Sequence, residues 1–136
     1  MTGGMIMAKV TELTLSLESK PGVLAKICRA LADAGVNITA LCAAESAGRG
    51  KIRLVVSDAG RAKNALKAAK LRCGEGTALA LTLEDRPGEL ARVAEKLAQG
   101  KINIKCAYAT TTGAGGAATV ILAVSNAEKA QALLGG

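Results

Sequence analysis

One stretch of this chain occurs twice. Leu15-Ser16-Leu17-Glu18-Ser19-Lys20-Pro21-Gly22-Val23-Leu24-Ala25 returns as Leu81-Thr82-Leu83-Glu84-Asp85-Arg86-Pro87-Gly88-Glu89-Leu90-Ala91. The Leu, Leu, Glu, Pro, Gly, Leu and Ala positions match at a constant offset of 66 residues. Downstream, Leu31-Ala32 returns as Leu97-Ala98, and Val36-Asn37-Ile38 as Ile102-Asn103-Ile104. In a chain of 136 residues, such a repeat requires two copies of one small unit, each near the lower limit for an independent core. Leu13, Leu15 and Leu17, like Leu79, Leu81 and Leu83, alternate with small or polar residues, the period of a strand with one buried face. Pro21 and Pro87 end those strands, because proline cannot donate to a ladder. Leu24, Ile27, Leu31 and Ala34 then fall at helical spacing, as do Leu90, Val93 and Leu97. Ser19 and Asp85 are candidate caps for the first turns. Each copy thus presents a strand, a tight Pro-Gly turn and the positive end of a helix, a suitable place for a carboxylate.

The remaining chain extends this pattern. Gly35 is a helix stop. Val36 to Glu45 is predicted as a strand with Ile38, Ala40 and Cys42 on one side, Ser46 to Gly50 as a turn, and Lys51 to Ser57 as a strand. Asp58 is the predicted cap of a helix over Ala59 to Lys70. Leu71 to Cys73 suggests a short fourth strand, and Gly74-Glu75-Gly76 a linker. The second copy repeats the order: strand Thr77 to Leu83, helix Glu89 to Gln99, strand Ile102 to Thr111, a turn over Thr112 to Gly116, strand Ala118 to Val124, and a last helix capped by Asn126. The expected fold is α+β: two ferredoxin-like βαββαβ units with antiparallel sheets, over residues 8–73 and 77–134, the second lacking an evident last strand. An unpaired edge along Thr77 to Leu83 is expected to be covered by the first unit or by a second chain.

Composition narrows the function classes. Half the residues are hydrophobic, yet there is one Tyr and no Phe or Trp, so the core is built from Leu, Ile, Val and Ala. With no His in the chain, Ser-His-Asp and Cys-His nucleophile systems are excluded. Cys28, Cys42, Cys73 and Cys106 have no zinc-type spacing and are expected as free thiols in a reducing compartment. The segment Met1 to Met7 shows no signal pattern, and no apolar run approaches the ~20 residues of a membrane span, so a cytoplasmic location is expected. The net charge of +7 concentrates between Arg49 and Arg72, where Asp58 is the sole acid. Lys63, Lys67 and Lys70 form one side of a helix, either a solvated face or a surface for an acidic partner. An RNA-binding domain with the same βαββαβ order needs stacking aromatics, and Tyr108 is the single aromatic, so nucleic acid is not the expected partner. Gly113 to Ala118 matches a dinucleotide fingerprint only formally, since a strand rather than a helix follows.

A strand ending in Glu-Ser/Asp-x-Pro-Gly-x-Leu, followed by a helix and Val/Ile-Asn-Ile, resembles the ACT domain, and the tandem layout from Val10 to Leu134 resembles stand-alone proteins made of two such domains. The resemblance implies a regulatory protein without catalysis, with no cofactor and no metal, that binds a small free amino acid between two units. It further implies a homodimer and a regulated enzyme as partners. The positions that hold the effector in serine-sensing members correspond to Leu17 or Leu83, Ser19 or Asp85, and Asn37 or Asn103. Leucine at the first of these points to an apolar amino acid rather than serine. The ligand carboxylate is expected at the amides of Gly22, Val23 and Leu24 or of Gly88, Glu89 and Leu90, with its ammonium near Asn37 or Asn103, and near Asp85 in the second copy only. The alternative is a ligand-free interaction subunit that acts through the basic face.

Overall fold

The computed structural model describes residues 5–111 and 116–135. Its elements run β1 (Ile6–Glu18), α1 (Val23–Asp33), β2 (Ile38–Ser46), β3 (Arg49–Val56), α2 (Ala59–Ala68), β4 (Gly74–Glu84), α3 (Glu89–Gln99), β5 (Ile104–Thr111), β6 (Ala117–Val124) and α4 (Ala127–Gly135). They form two compact units. One is Thr11–Gly76; the other joins the residues up to Val10 with those from Thr77 onward.

In the unit Thr11–Gly76 the strand order is β2-β3-β1. Leu13 lies opposite Leu54 and Leu15 opposite Ile52. This leucine-rich face packs with Ile27 and Leu31 of α1 and with Ala62 and Leu66 of α2 into one core. Each buried Leu or Ile side chain contributes roughly 1.5–3 kcal/mol. The β2–β3 hairpin turns through Ala47 (φ 52°) and Gly48 (φ 79°), the left-handed pair that matches strand twist in two-residue loops. On the sheet face away from this core, the buried Glu12 carboxylate meets Arg53 Nη1 at 2.8 Å.

The second unit repeats this layout with β5-β6-β4. Leu79 faces Leu122 and Leu81 faces Val120, and the core is completed by Val93 and Leu97 of α3 and Leu134 of α4. The strand that the sequence lacks after α4 comes from the other end of the chain. Residues 6–10 of β1 belong to this unit, Met5 and Met7 pack on its core, and Lys9 Nζ reaches Glu128 Oε1 at 2.6 Å.

Several local expectations are corrected. Gly74-Glu75-Gly76 is not a linker but the start of β4, and Gly74 lies so close to Thr14 that a Cβ there would stand 3.1 Å from Oγ1. Leu71 to Cys73 is not a strand; Leu71 fills the core of the first unit instead. A bulge between Ile38 and Ala40 shifts the register, so that Ile38 pairs with Val56 while Ala40 pairs with Val55 and Cys42 with Arg53. One inserted residue therefore turns Ala40 and Cys42 to the face opposite Ile38. The second copy bulges at the same place, between Ile104 and Cys106. Leu24 and Leu90, at the core spacing of their helices, are 39% and 47% exposed; each lies on the first turn of its helix. Asp58 and Asn126 cap as expected, accepting from Arg61 N–H and Lys129 N–H at 3.0 Å each. Among the described residues the four cysteines form no disulfide. Residues 112–115, which carry most of the expected turn and of the glycine pattern, lie outside the described residues.

Candidate functional site

The Pro-Gly turns govern the local geometry. Gly22 and Gly88 adopt φ of 92° and 93° and are the N-cap residues of α1 and α3. That left-handed backbone suits a residue without Cβ. Neither helix receives a side-chain cap, so Ser19 and Asp85 do not cap. The Ser19 N–H donates to the Gly48 carbonyl at 2.8 Å and the Asp85 N–H to that of Gly116 at 2.9 Å. Both residues are thus tied to the neighbouring hairpin, one step before the turn. At each helix start the amides of Val23 and Glu89 donate to the carbonyls of Lys20 and Arg86 at 3.3 and 3.4 Å, and the next first-turn amides, those of Leu24 and Leu90, have no intrahelical partner.

A cleft opens beside each turn. The first, of about 180 Å³, is lined by Glu18, Ser19, Lys20, Val23 and Leu24 from the β1–α1 junction and by Ala43, Ala44, Glu45, Gly50 and Ile52 from the β2–β3 hairpin. The second, of about 210 Å³, takes Leu83, Glu84, Asp85, Arg86, Glu89 and Leu90 with Ala109, Thr110, Thr111, Ala118 and Val120. Ser19 with Asp85, Lys20 with Arg86, Leu24 with Leu90 and Ala43 with Ala109 stand at the repeat offset, and Gly50 with Ala118 and Ile52 with Val120 hold equivalent register positions, opposite Leu17 and Leu83 and opposite Leu15 and Leu81, so these are one cleft built twice. Of the residues singled out from the sequence, Ser19, Val23, Leu24, Leu83, Asp85, Glu89 and Leu90 line the clefts. Leu17 packs on the core beneath the first.

Asn37 and Asn103 are placed elsewhere. They precede β2 and β5, whereas the clefts take the far ends of those strands, eight residues on from Asn37 at Glu45 and roughly 26 Å away at strand rise. The Asn37 N–H donates to Ser57 Oγ at 2.9 Å and the Asn103 N–H to Ser125 Oγ at 3.0 Å. Their carbonyls accept from the N–H groups of the same serines at 2.9 Å. These backbone clips hold the starts of β2 and β5 to the ends of β3 and β6 and leave the Asn side chains exposed. The hairpin residues Ala43–Glu45 and Ala109–Thr111 carried no motif; only the repeat offset connecting them marks them in the sequence.

The two clefts differ in charge. In the second, Glu89 Oε1 meets Arg92 Nη2 at 3.0 Å and Oε2 meets Arg86 Nη2 at 3.2 Å. The hydrogen bond from Arg92 leads in holding this carboxyl below the usual carboxylate range; the charges of Arg92 and Arg86 add to it and burial opposes it. Asp85 accepts a hydrogen bond from Thr111 Oγ1. In the first cleft Val23 stands where Glu89 does, and α1 has no acid in its first turn.

A third cavity, of about 410 Å³, is lined by Lys63, Lys67, Lys70, Leu71, Arg72 and Cys73. Lys63 Nζ pairs with Glu75 Oε1 at 2.8 Å, and that hydrogen bond raises the lysine above its usual value. Burial raises the Cys73 thiol. Among the described residues no ion pair involves Lys67, Lys70 or Arg72, no cluster of His, Cys, Asp and Glu could hold a metal ion, and no helix is long and apolar enough to cross a membrane.

Comparison with known proteins supports the same layout. The family described as an ACT domain pair matches residues 7–134. A protein from Bacteroides thetaiotaomicron is similar with a TM-score of 0.87 and 29% identity, over 95% of this chain and 88% of that one. The regulatory subunits of aspartate kinase from Thermus thermophilus, in its ligand-free form, and Thermus flavus give TM-scores of 0.70 and 0.69, each at 20% identity over 96% of this chain and 92% of theirs. At that identity the likeness shows a shared fold. No curated protein sequence matches the chain.

Proposed function

Because the chain belongs to the ACT domain pair family, we propose that it is a non-catalytic regulatory protein that binds a small, largely aliphatic free amino acid at its Pro-Gly turns. One observation carries this: the same cleft is built twice, from the same repeat positions, beside a helix start that no side chain caps. Cleft volumes of about 180 and 210 Å³ fall below the ~300–1,000 Å³ of drug-sized ligands and suit a molecule of amino-acid size. The carboxylate would meet the first-turn amides, and Leu24 or Leu90 would give its side chain an apolar wall. The shared fold with regulatory subunits of a kinase supports a regulated enzyme as partner.

The asparagines enter through a second copy. β2 ends the strand order of its unit and offers an open edge. If a partner β2 runs antiparallel about a two-fold axis at Leu41, its Asn37 comes opposite Glu45, at the rim of the first cleft. The same pairing would cover Leu41, which is exposed on that strand. A homodimer would thus add an amide oxygen for the ligand's ammonium. Calorimetric titration with the twenty amino acids, repeated for Asn37→Ala and Asn103→Ala, tests the site. Binding by wild type that neither substitution weakens by about 0.5–1.5 kcal/mol, the net worth of one hydrogen bond, refutes this placement.

The lysine-lined cavity of the first unit favours a second role, as a docking face. Lys67, Lys70 and Arg72 line a concave basic surface that would fit an acidic partner. A chain that binds no amino acid but loses its partner enzyme on Lys67→Glu/Lys70→Glu would establish the interaction subunit instead.

A further inference from the structure

The repeat allows the two clefts to be compared position by position, and at the first residue of the helix one is apolar and the other acidic. Val23 in the first copy is Glu89 in the second, Lys26 is Arg92, and Lys20 is Arg86. We propose that Glu89 is a built-in occupant of the second cleft, its carboxylate filling the place of a ligand's, so that the first cleft alone takes a free amino acid. This rests on the amino-acid-binding reading above.

Three observations carry it. Glu89 is the first residue of α3 and lines the cleft, so its negative charge lies at the positive end of the helix, where a ligand's carboxylate would. Its side chain is only 12% exposed, with contacts of 3.0 Å to Arg92 and 3.2 Å to Arg86. Both carboxylate oxygens are therefore engaged in charge-assisted bonds with guanidinium groups. Arg86 is further tied to Glu84 Oε2 at 3.2 Å. Opposite, Asp85 holds Thr111, a residue of the far wall. An entering carboxylate would meet Glu84, Asp85 and Glu89 and would find both guanidinium groups ion-paired, with the buried Nη1 of Arg92 left without a partner among the described residues.

The first cleft lacks this arrangement. Val23 adds no charge, Gly22 caps without a side chain, and Lys20 is a lining cation with no ion pair among the described residues. Glu18 and Glu45 remain on the walls as acceptors for an ammonium. Filled helix starts and free ones thus alternate between copies of one fold, and Glu89 is the specificity-determining difference.

The test is titration calorimetry of the full chain with the aliphatic amino acids, with amide NMR spectra to locate binding. Wild type is expected to bind one ligand per chain, with shifts at 18–24 and 43–45. Glu89→Val, which imports the first copy's residue, should add a second site with shifts at 84–90 and 109–111, and Glu89→Gln, which keeps the shape, should open it partially. Val23→Glu should weaken the first site at least about tenfold, the scale of one charge-assisted contact. Two equivalent sites in wild type overturn the proposal, as do shifts centred on 84–90, or a Glu89→Val protein that folds and still binds one. Each of these leaves the amino-acid-binding reading standing. No binding by wild type or any variant overturns that reading and this proposal with it.

Discussion

Arg53→Leu should be among the most destabilising single substitutions on the sheet. The Glu12 carboxylate is 5% exposed and its partner guanidinium 17% exposed, at 2.8 Å. Removing the arginine leaves a buried carboxylate with its main counter-charge gone, a loss of about 3–5 kcal/mol in comparable pairs. Glu12 makes a further interaction, so the lower figure, about 3 kcal/mol, is expected. Glu12→Leu should cost less, because a long guanidinium side chain can turn its head to water. The double substitution should be near neutral, since two leucines at diagonal positions of one sheet face leave no charge to solvate. The coupling energy, the double-substitution cost less both single costs, is then at least about 3 kcal/mol in magnitude. With an unfolding entropy near 2 cal/mol/K per residue, 3 kcal/mol corresponds to a loss of about 10 °C in Tm. Urea unfolding of the four proteins at one pH, with unchanged m-values, gives the cycle. An Arg53→Leu protein within about 1 kcal/mol of wild type, or a coupling below about 0.5 kcal/mol, would refute the reasoning, because a pair so enclosed cannot be both broken and harmless.

Three further outcomes are expected. Lys101 ends α3 at φ 60°, at the place where the first copy has Gly35 at φ 72°; Lys101→Gly should stabilise by up to about 1 kcal/mol in urea unfolding, and a loss of stability would contradict this. A Cβ on Gly100 would run into Cδ1 of the half-buried Leu133, the end of a side chain that can turn aside, so Gly100→Ala should cost about 1 kcal/mol, the low end of overpacking, and Leu133→Ala in the same chain should recover part of it; additivity of the two would count against a direct clash. Glu89, held below its ordinary value of 4.5 first by the Arg92 hydrogen bond, stabilises fully above that value and loses its contribution as the pH falls through the lower folded value. Wild type should therefore lose stability more steeply than Glu89→Gln on acidification, and parallel pH–stability curves would exclude the effect.

Much of this chain is legible because its signals are local. Leucine alternation at 13–17 and 79–83 marked strands with one buried face, and the 66-residue offset marked two copies of one unit. Asp58 and Asn126 were recognisable caps, since a cap needs only its own side chain and an amide three residues on. The Pro-Gly turns marked where the clefts lie for the same reason. What the sequence could not show depends on partners distant along the chain. A bulge after Ile38 reverses the face of Ala40 and Cys42, and a single inserted residue leaves no trace in a period-two pattern. Gly74-Glu75-Gly76 has linker composition, yet becomes strand because Thr14 lies beside it. The closing strand of the second unit comes from Ile6–Val10, at the far end of the chain, which no window of neighbouring residues contains. Ser19 and Asp85 have cap chemistry, but the left-handed Gly22 and Gly88 take the cap position first. Ala43–Glu45 line a cleft, and Asn37 does not, because β2 is antiparallel to β3 and its end, not its beginning, lies beside the Pro-Gly turn. Local periodicity determines which residues form each element; long-range pairing, whose entropy is recovered only in the folded chain, decides which ends of those elements meet.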